Sequence, residues 1–248
     1  MRKCVLPICI FLMFASCAAL RINQVDLPQL ARVDSLAASN DTTLIQMLQP
    51  FRDSMNIRMG IVIGQSSQPM TKALPEGLLG NYCAEACMRQ VTDWCRQNQT
   101  PKPDFCILNH GGLRASLPFG DITLGNVYEL MPFDNELVII RISQDDLKAL
   151  AKHTASKGGA PVVGLRMRIH EGEADSIEII SNRNSGKTTF TMLTSDYLAN
   201  GGDGFPIRGT SANQTATGLK VRDVLIGDVH EHKLKNDSIR SGIDGRIR

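Results

Sequence analysis

Three stretches of the chain combine residue types suited to gripping a small ligand. The first is Leu108-Asn109-His110-Gly111-Gly112-Leu113-Arg114. Gly111 and Gly112 let the backbone turn tightly and let a ligand approach the peptide groups closely. Asn109 offers a donor and an acceptor, and Arg114 offers a planar fork for carboxylate, phosphate or sugar oxygens. The second stretch is Leu130-Met131-Pro132-Phe133-Asp134-Asn135. Pro132 restrains Met131 to an extended conformation and fixes its own φ, which sets Phe133 on a stiffened bend. The third runs from Tyr197 to Pro206 and holds Gly201, Gly202, Asp203, Gly204 and Phe205. A loop this rich in glycine is costly in chain entropy unless it serves a purpose. Each stretch taken alone also has a plain structural reading: a surface turn, a core Phe at a strand entry, an Asp bonded to its own loop amides. Two rings beside prolines, in a chain with only 5% aromatic residues, predict a clamp of Phe133 and Phe205 around a flat ligand.

The elements that position these stretches follow from periodicity. Leu44, Leu48, Phe51 and Met55 have helical spacing, which Pro50 is expected to kink or divide. Ile57 to Gly64 is a β-type run, and Leu78 to Arg96 a helix. Phe105 to Leu108 is a short buried strand that runs into the first glycine loop. Thr123 suits the N-cap of a short helix between Ile122 and Met131, and Ser143 that of a helix from Gln144 to Ala155, after a strand from Glu136 to Ile142. Alternation of Val163, Leu165, Met167 and Ile169 with polar neighbours marks a half-exposed strand, turned back at Glu171 to Asp175 into a hairpin. Thr188 to Thr194 is a further strand and Leu219 to His230 a helix. Mixed strands and helices with a hairpin predict an α+β fold.

The chain has 248 residues, 42% of them hydrophobic and 21% charged, enough apolar material for one packed domain and a leader. A formal charge of +2 is too nearly balanced to argue for a nucleic-acid partner. No paired carboxylates, nucleophile–base arrangement or metal-ligand cluster is legible, so no catalytic residue and no metal or other cofactor is assigned to this chain. Asp134 and Asp203 are better explained as turn residues than as an acid–base pair. Of the five histidines, His230 and His232 flank Glu231 at a solvated helix end, and His110, inside the glycine loop, is the one placed to meet a substrate or partner.

The first seventeen residues read as an export signal. Arg2 and Lys3 precede a short apolar run, and Ala15-Ser16 stand before Cys17, too short a segment to span a membrane. Phe14-Ala15-Ser16-Cys17 resembles a bacterial lipobox with Phe14 where Leu is usual, so Cys17 is expected to carry lipid, the chain being exported and held at a membrane, with the outer membrane facing the periplasm favoured. The alternative is ordinary cleavage near Ala18-Ala19. Residues 18–40 form a tether and the start of the first helix, and 41–248 the domain. Cys83, Cys87 and Cys95 share one helix face and, with Cys106, are expected to be buried free thiols, because spacings of four on a rigid helix seldom meet disulfide geometry.

Taken together, Leu79-Gly80-Asn81, Asn109 to Arg114, Asp121-Ile122-Thr123, Met131-Pro132-Phe133, Leu198 to Phe205 and Asp244-Gly245-Arg246-Ile247 resemble, in order and spacing, the C-terminal domain of the 5′-nucleotidase family. The resemblance implies that the domain binds a nucleotide or nucleoside with the base held between two rings, placed by position at Phe133 and Phe205. It puts Asn109 at the base, Arg114 at ribose or phosphate oxygens, and Gly111, Gly112, Gly202 and Asp203 in the binding loops. Aromatic stacking on a base is worth about 1–3 kcal/mol. Two departures stand out: Pro75 replaces an Arg common before Glu76, and Ile207 to Thr210 lacks the acidic residue expected beyond the second ring. In the family, hydrolysis belongs to a separate two-metal phosphoesterase domain marked by Asp-x-His and Gly-Asn-His motifs, and no Gly-Asn-His occurs in this sequence. The resemblance therefore implies a substrate-binding half whose chemistry is supplied by a metallophosphoesterase partner that holds the divalent metals. The rival reading is a non-catalytic nucleoside-binding or scaffolding lipoprotein.

Overall fold

The computed structural model describes residues 41–182 and 186–248. The export signal, Cys17 and the tether lie outside the described residues. The chain divides into two compact units, residues 1–49 and 50–248. Of the first, only residues 41–49 are described, and they begin helix α1 (Thr42–Met59), where the Asp41 carboxylate caps the Leu44 amide. Helix α1 continues through Pro50 and buries none of its residues. Pro50 therefore does not divide it, since a ring at that position forfeits one backbone hydrogen bond while the flanking turns keep theirs. The β-type run expected from Ile57 begins later, because α1 extends to Met59.

The second unit is α+β, as expected. Strand β1 (Val62–Ser66) leads to helix α2 (Leu78–Gln97), strand β2 (Phe105–Ile107) and a 3₁₀ turn at His110–Gly112. Strand β3 (Gly120–Thr123) pairs antiparallel with β1 and runs into helix α3 (Leu124–Leu130). Then come β4 (Glu136–Ser143), α4 (Gln144–Ser156), β5 (Val162–Val163) and the hairpin of β6 (Leu165–His170) and β7 (Glu173–Ile179). Strand β8 (Thr189–Ser195), the one-turn helix α5 (Asp196–Ala199), a 3₁₀ turn at Gly202–Gly204, β9 (Gln214–Lys220) and α6 (Val221–Leu234) follow. Thr123 and Ser143 each close a capping box with the residue three places on, Asn126 and Asp146, which satisfies two otherwise orphaned amides per helix. Periodicity missed strands β3 and β9; β9 is held by its antiparallel pairing with β4, and most of its side chains are exposed or half-buried.

The main sheet has the order β5-β2-β8-β4-β9. Its strands alternate between two cores, as a pleated strand must. Cys106, Leu108, Leu137, Ile139 and Leu193 face the core built with α2, α3 and α6, whereas Phe105, Ile107, Val138, Ile140, Ile142 and Met192 face the core under α4 and the hairpin. Burial on both faces is why β4 reads as a continuous apolar run.

Topology decides where the loops go. Strands β2 and β8 are parallel neighbours, and β4 runs antiparallel beside β8. The ends of β2 and β8 and the start of β4 therefore lie along one edge of the sheet, and these are the points at which the three ligand-type stretches begin or end.

Two further motifs are structural. Glu76 accepts hydrogen bonds from Asn81 Nδ2 (2.6 Å) and the Asp244 amide (3.0 Å), and Arg246 reaches Glu85 (2.7 Å) and the Val162 carbonyl (2.9 Å). Leu79-Gly80-Asn81 and Asp244-Gly245-Arg246-Ile247 thus meet each other and tie the end of the chain to the start of α2.

Cys83, Cys87, Cys95 and Cys106 are buried free thiols. Burial, first, and then the neighbouring thiol and the Asp228 carboxylate push Cys83 well above the usual range. Burial and Asp228 push Cys87 up to about 12, and burial with the neighbouring thiols raises Cys106. Thiolate is the reactive form, so iodoacetamide at pH 8 is expected to leave these three cysteines unmodified in the native protein and to label them all in guanidinium. Peptide mass mapping checks this, and native labelling of any of the three at the rate of a free cysteine would contradict the buried thiol core.

Candidate nucleoside-binding cleft

At the sheet edge the first loop is held from below and from the side. The Leu108 amide donates to the Pro161 carbonyl (2.9 Å), and the Arg114 amide to the Leu130 carbonyl (2.8 Å). A side chain at Gly112 would press on Asn109 Oδ1 at 3.0 Å, and one at Gly111 would stand 3.3 Å from Asn109 Nδ2. The two glycines therefore leave room for the Asn109 amide rather than for a ligand alone. Arg114 is exposed, with Nη1 3.4 Å from the Gly111 carbonyl.

Phe133 is presented by a braced turn. Arg222, from the first turn of α6, donates to the Pro132 carbonyl (3.3 Å), pairs with Asp134, and lies 4.5 Å above the Tyr128 ring. Hydrogen bonds from Arg222 and Lys220 hold the Asp134 carboxyl below the usual carboxylate range. Asp134 is thus a structural anchor for the turn, and Phe133 stands above it with 42% of its surface exposed.

The third loop is organised by tyrosine. Asp196 accepts from the Glu136 amide (3.1 Å) and the Tyr197 amide (2.7 Å), which ties α5 to β4. The Tyr197 hydroxyl donates to Asp203 Oδ1 (2.8 Å), and the Asp203 amide donates back to that hydroxyl (3.2 Å). Asn109 Nδ2 donates to Asp203 Oδ2 (2.7 Å), joining the first loop to the third. The Asp203 hydrogen bond raises the Tyr197 hydroxyl above its ordinary range, chiefly because ionisation would cost that donor. Asp203 adopts a left-handed backbone (φ 55°), a conformation that costs a non-glycine residue about 1–2 kcal/mol and is offset here by the bonds its carboxylate and amide make. Gly202 lies flush under the Tyr197 ring, where a Cβ would collide, and Gly201 (φ +86°) makes room for Arg208, whose guanidinium donates to the Asn200 carbonyl.

One cavity of about 260 Å³ has Phe133 and Tyr197 on its walls and Asn109, Gly111, Gly112, Arg114 and Asp203 in its lining, whereas Gly202, expected in the binding loops, is not part of that lining. Phe205 does not line it. That ring is only 4% exposed, packs in the core under α4 and meets the His153 ring edge-on at 5.8 Å. Phe205 lines instead the neighbouring cavity, which shares Asn109, Gly111 and Asp203 with this one, and Tyr197, equally exposed at 42%, is the ring that shares this cavity with Phe133. A phenylalanine flanked by Leu198 and Ile207 in the core has no polar handle to keep wet. A tyrosine beside a carboxylate has one, and that amphipathic character was the available signal.

His110 lines a neighbouring cavity, where burial and then Lys72 keep its imidazole below the ordinary range. His232, at the end of α6, contacts Asp237 (3.2 Å), and His230 is exposed.

Residues 62–210 match the family described as 5′-nucleotidase, C-terminal domain. The 5′-nucleotidase of Vibrio parahaemolyticus serotype O3:K6 is 27% identical over 206 residues, covering 78% of this chain and 35% of that protein. Protein UshA of Escherichia coli K12 is 28% identical over 188 residues, covering 73% of this chain and 33% of that protein. A crystal structure of a 5′-nucleotidase precursor from Thermus thermophilus has the same fold, with a TM-score of 0.68 at 23% identity over 86% of this chain and 44% of that one. The chain therefore spans about a third of the length of these two curated relatives. With its motifs assembled on this fold and the family match covering more than half of it, the chain belongs to the 5′-nucleotidase family, through that family's C-terminal domain.

Proposed function

We propose that this chain is the nucleotide- or nucleoside-binding half of a split 5′-nucleotidase, gripping the base between Phe133 and Tyr197. The observation that carries the reading is the cavity itself: two half-exposed rings on its walls, and a fixed amide–carboxylate pair, Asn109 and Asp203, in its lining. The rings offer stacking surfaces that tolerate any base. Asn109 keeps its carbonyl oxygen for a base edge while its Nδ2 is committed to Asp203. A carboxylate has about four acceptor positions, so Asp203 retains capacity for ribose hydroxyls after serving Asn109 and Tyr197. With the second ring at Tyr197, Asp203 is also the acidic residue beyond that ring which Ile207 to Thr210 lacks. Arg114, exposed at the cavity, supplies the cation for phosphate or ribose oxygens.

Hydrolysis is assigned to a separate metallophosphoesterase, whose metal pair would activate water and polarise the phosphate. This chain contributes position: a nucleoside held rigidly sets where its 5′-phosphate projects, and orientation is a large share of such a barrier. Pro75, in place of a cation, favours the rival reading of a nucleoside-binding or scaffolding lipoprotein without hydrolysis. In either case Cys17 is proposed as the lipid attachment that holds the chain at the periplasmic side of the outer membrane.

Three experiments test these assignments. Adenosine and AMP titrations by calorimetry are expected to weaken by about 1–3 kcal/mol, some 5- to 150-fold, in Phe133→Ala and in Tyr197→Ala. Phe205→Ala is expected instead to lower unfolding free energy by about 3–5 kcal/mol; a well-folded Phe205→Ala that loses adenosine while Tyr197→Ala keeps it would reverse the assignment. AMP hydrolysis with Mn²⁺ should appear only when a separately encoded phosphoesterase bearing Asp-x-His and Gly-Asn-His motifs is added, and metal-dependent turnover by the pure chain would overturn the split arrangement. Palmitate labelling in cells should mark the wild-type chain and not Cys17→Ser; label on both, or on neither, would remove the anchor.

A further inference from the structure

The last turns of α1, from Pro50 to Met59, belong to the second compact unit and bury no side chain. Phe51, Met55, Ile57 and, just past the helix, Ile61 are each more than half exposed. Single apolar residues on a surface need no explanation, but four of them this close in the chain form a patch. At 3.6 residues per turn, Ile57 stands about 200° round the helix from Met55, so the patch projects from opposite sides of α1.

This segment is fixed to the rest of the unit. The Leu124 amide donates to the Ile61 carbonyl (2.9 Å). Gly125 lets the start of α3 approach the end of α1, since a Cβ there would stand 3.0 Å from the Met59 carbonyl oxygen. Helix α3 is seven residues long, about 10 Å. At its far end the Leu130 carbonyl accepts the Arg114 amide (2.8 Å), and the chain then enters the turn that carries Phe133. The apolar end of α1 is therefore held one short helix away from the nucleoside cleft.

Two observations select the occupant. A helix that is apolar on more than one side is ordinarily enclosed by protein. A lipid surface meets one side only and is served by a polar face rich in Lys and Arg, whereas the charges between Phe51 and Ile61 are Arg52, Asp53 and Arg58. The second observation is position. The match to the C-terminal domain begins at residue 62, directly after this segment, and the chain spans about a third of the length of its two curated relatives. In a protein of which this is the C-terminal domain, the remaining two-thirds joins at the place that α1 holds here.

We propose that Phe51, Met55, Ile57 and Ile61 are the docking surface for the metallophosphoesterase partner, an inference that rests on the split reading of the function. Phe and Met are among the residue types enriched in protein interfaces. A partner seated on α1 is carried by α3 toward Arg114 and Phe133, the side of the cleft to which the phosphate of a bound nucleotide is assigned.

The test uses the full chain and the separately encoded phosphoesterase, bearing Asp-x-His and Gly-Asn-His motifs, that confers AMP hydrolysis on it with Mn²⁺. Phe51→Gln/Met55→Gln is expected to keep the wild-type melting temperature and adenosine affinity. The chain concentration that gives half-maximal hydrolysis should rise at least about tenfold, with the rate at saturation unchanged. Ile57→Gln, on the other side of the helix, should raise it by about threefold or more, and Phe51→Leu/Met55→Leu should stay within about threefold of wild type. Equal half-maximal concentrations for wild type and both Gln variants would remove the dock while leaving the split enzyme in place. If no phosphoesterase confers hydrolysis on the wild-type chain, the split reading and the dock fall together, and adenosine titration still reports on the cleft alone. Two other results also overturn the proposal if phosphoesterase affinity is unaltered in the Gln variants. One is a dimer of the chain in sedimentation velocity that the Gln variants dissociate, which assigns the patch to a second copy. The other is flotation of the Cys17→Ser chain with phosphatidylethanolamine–phosphatidylglycerol vesicles that the Gln variants abolish, which assigns it to lipid.

Discussion

The Asp203 carboxylate is the joint on which the ligand-facing edge of this domain is built. It accepts from Asn109, 94 positions earlier in the chain, on one oxygen and from the Tyr197 hydroxyl on the other. Those bonds link the two glycine-rich loops to each other, and glycine gives up more conformational freedom on ordering than any other residue. Hydrogen bonds to a charged group contribute more than neutral ones, about 1.5–3 kcal/mol, although exposure of this site to water places Asp203 toward the low end. The left-handed backbone at Asp203 is a consequence of the same joint, since it turns the carboxylate back toward Tyr197 while the amide returns a bond to the phenol.

Everything around the joint serves to present two flat faces. The parallel pairing of β2 with β8 and the antiparallel pairing of β8 with β4 bring three loops to one sheet edge. Arg222 and Lys220, at the junction of β9 and α6, brace the turn that carries Phe133 through Asp134. Asp196 anchors the helix turn that carries Tyr197 to the start of β4. The charged residues nearest the cleft are thus largely occupied in holding rings and loops, and Arg114 is the cation left exposed toward a ligand.

Much of this architecture was legible in the sequence because local chemistry specified it. Thr123 and Ser143 announced their helices, the alternation from Val163 to Ile169 announced the hairpin strand, and Glu136 to Ile142 read as a strand. The residues of the first loop and Phe133 were found from type and spacing, and they line the cavity together. Phe133 and Phe205 end in different surroundings for a physical reason. Phe205 beside Pro206 looked like Phe133 beside Pro132, but a local resemblance between two Phe–Pro bends carries no information about which side of the sheet each ring faces. That depends on the core under α4, where His153 and Leu198 close over Phe205, a long-range packing outcome. Strand β9 was missed because its exposed residues leave no period, and α1 passes Pro50 because one lost backbone bond is a small fraction of an eighteen-residue helix.

The central claim is that a base lies between Phe133 and Tyr197 and never touches Phe205. Nuclear Overhauser contacts between the base protons of bound adenosine and the side chains of the full-length protein measure this directly. The account requires contacts from the base protons to the ring protons of both Phe133 and Tyr197, with none to Phe205. Contacts to Phe205, or to neither of the two exposed rings in a complex that demonstrably forms, would contradict it.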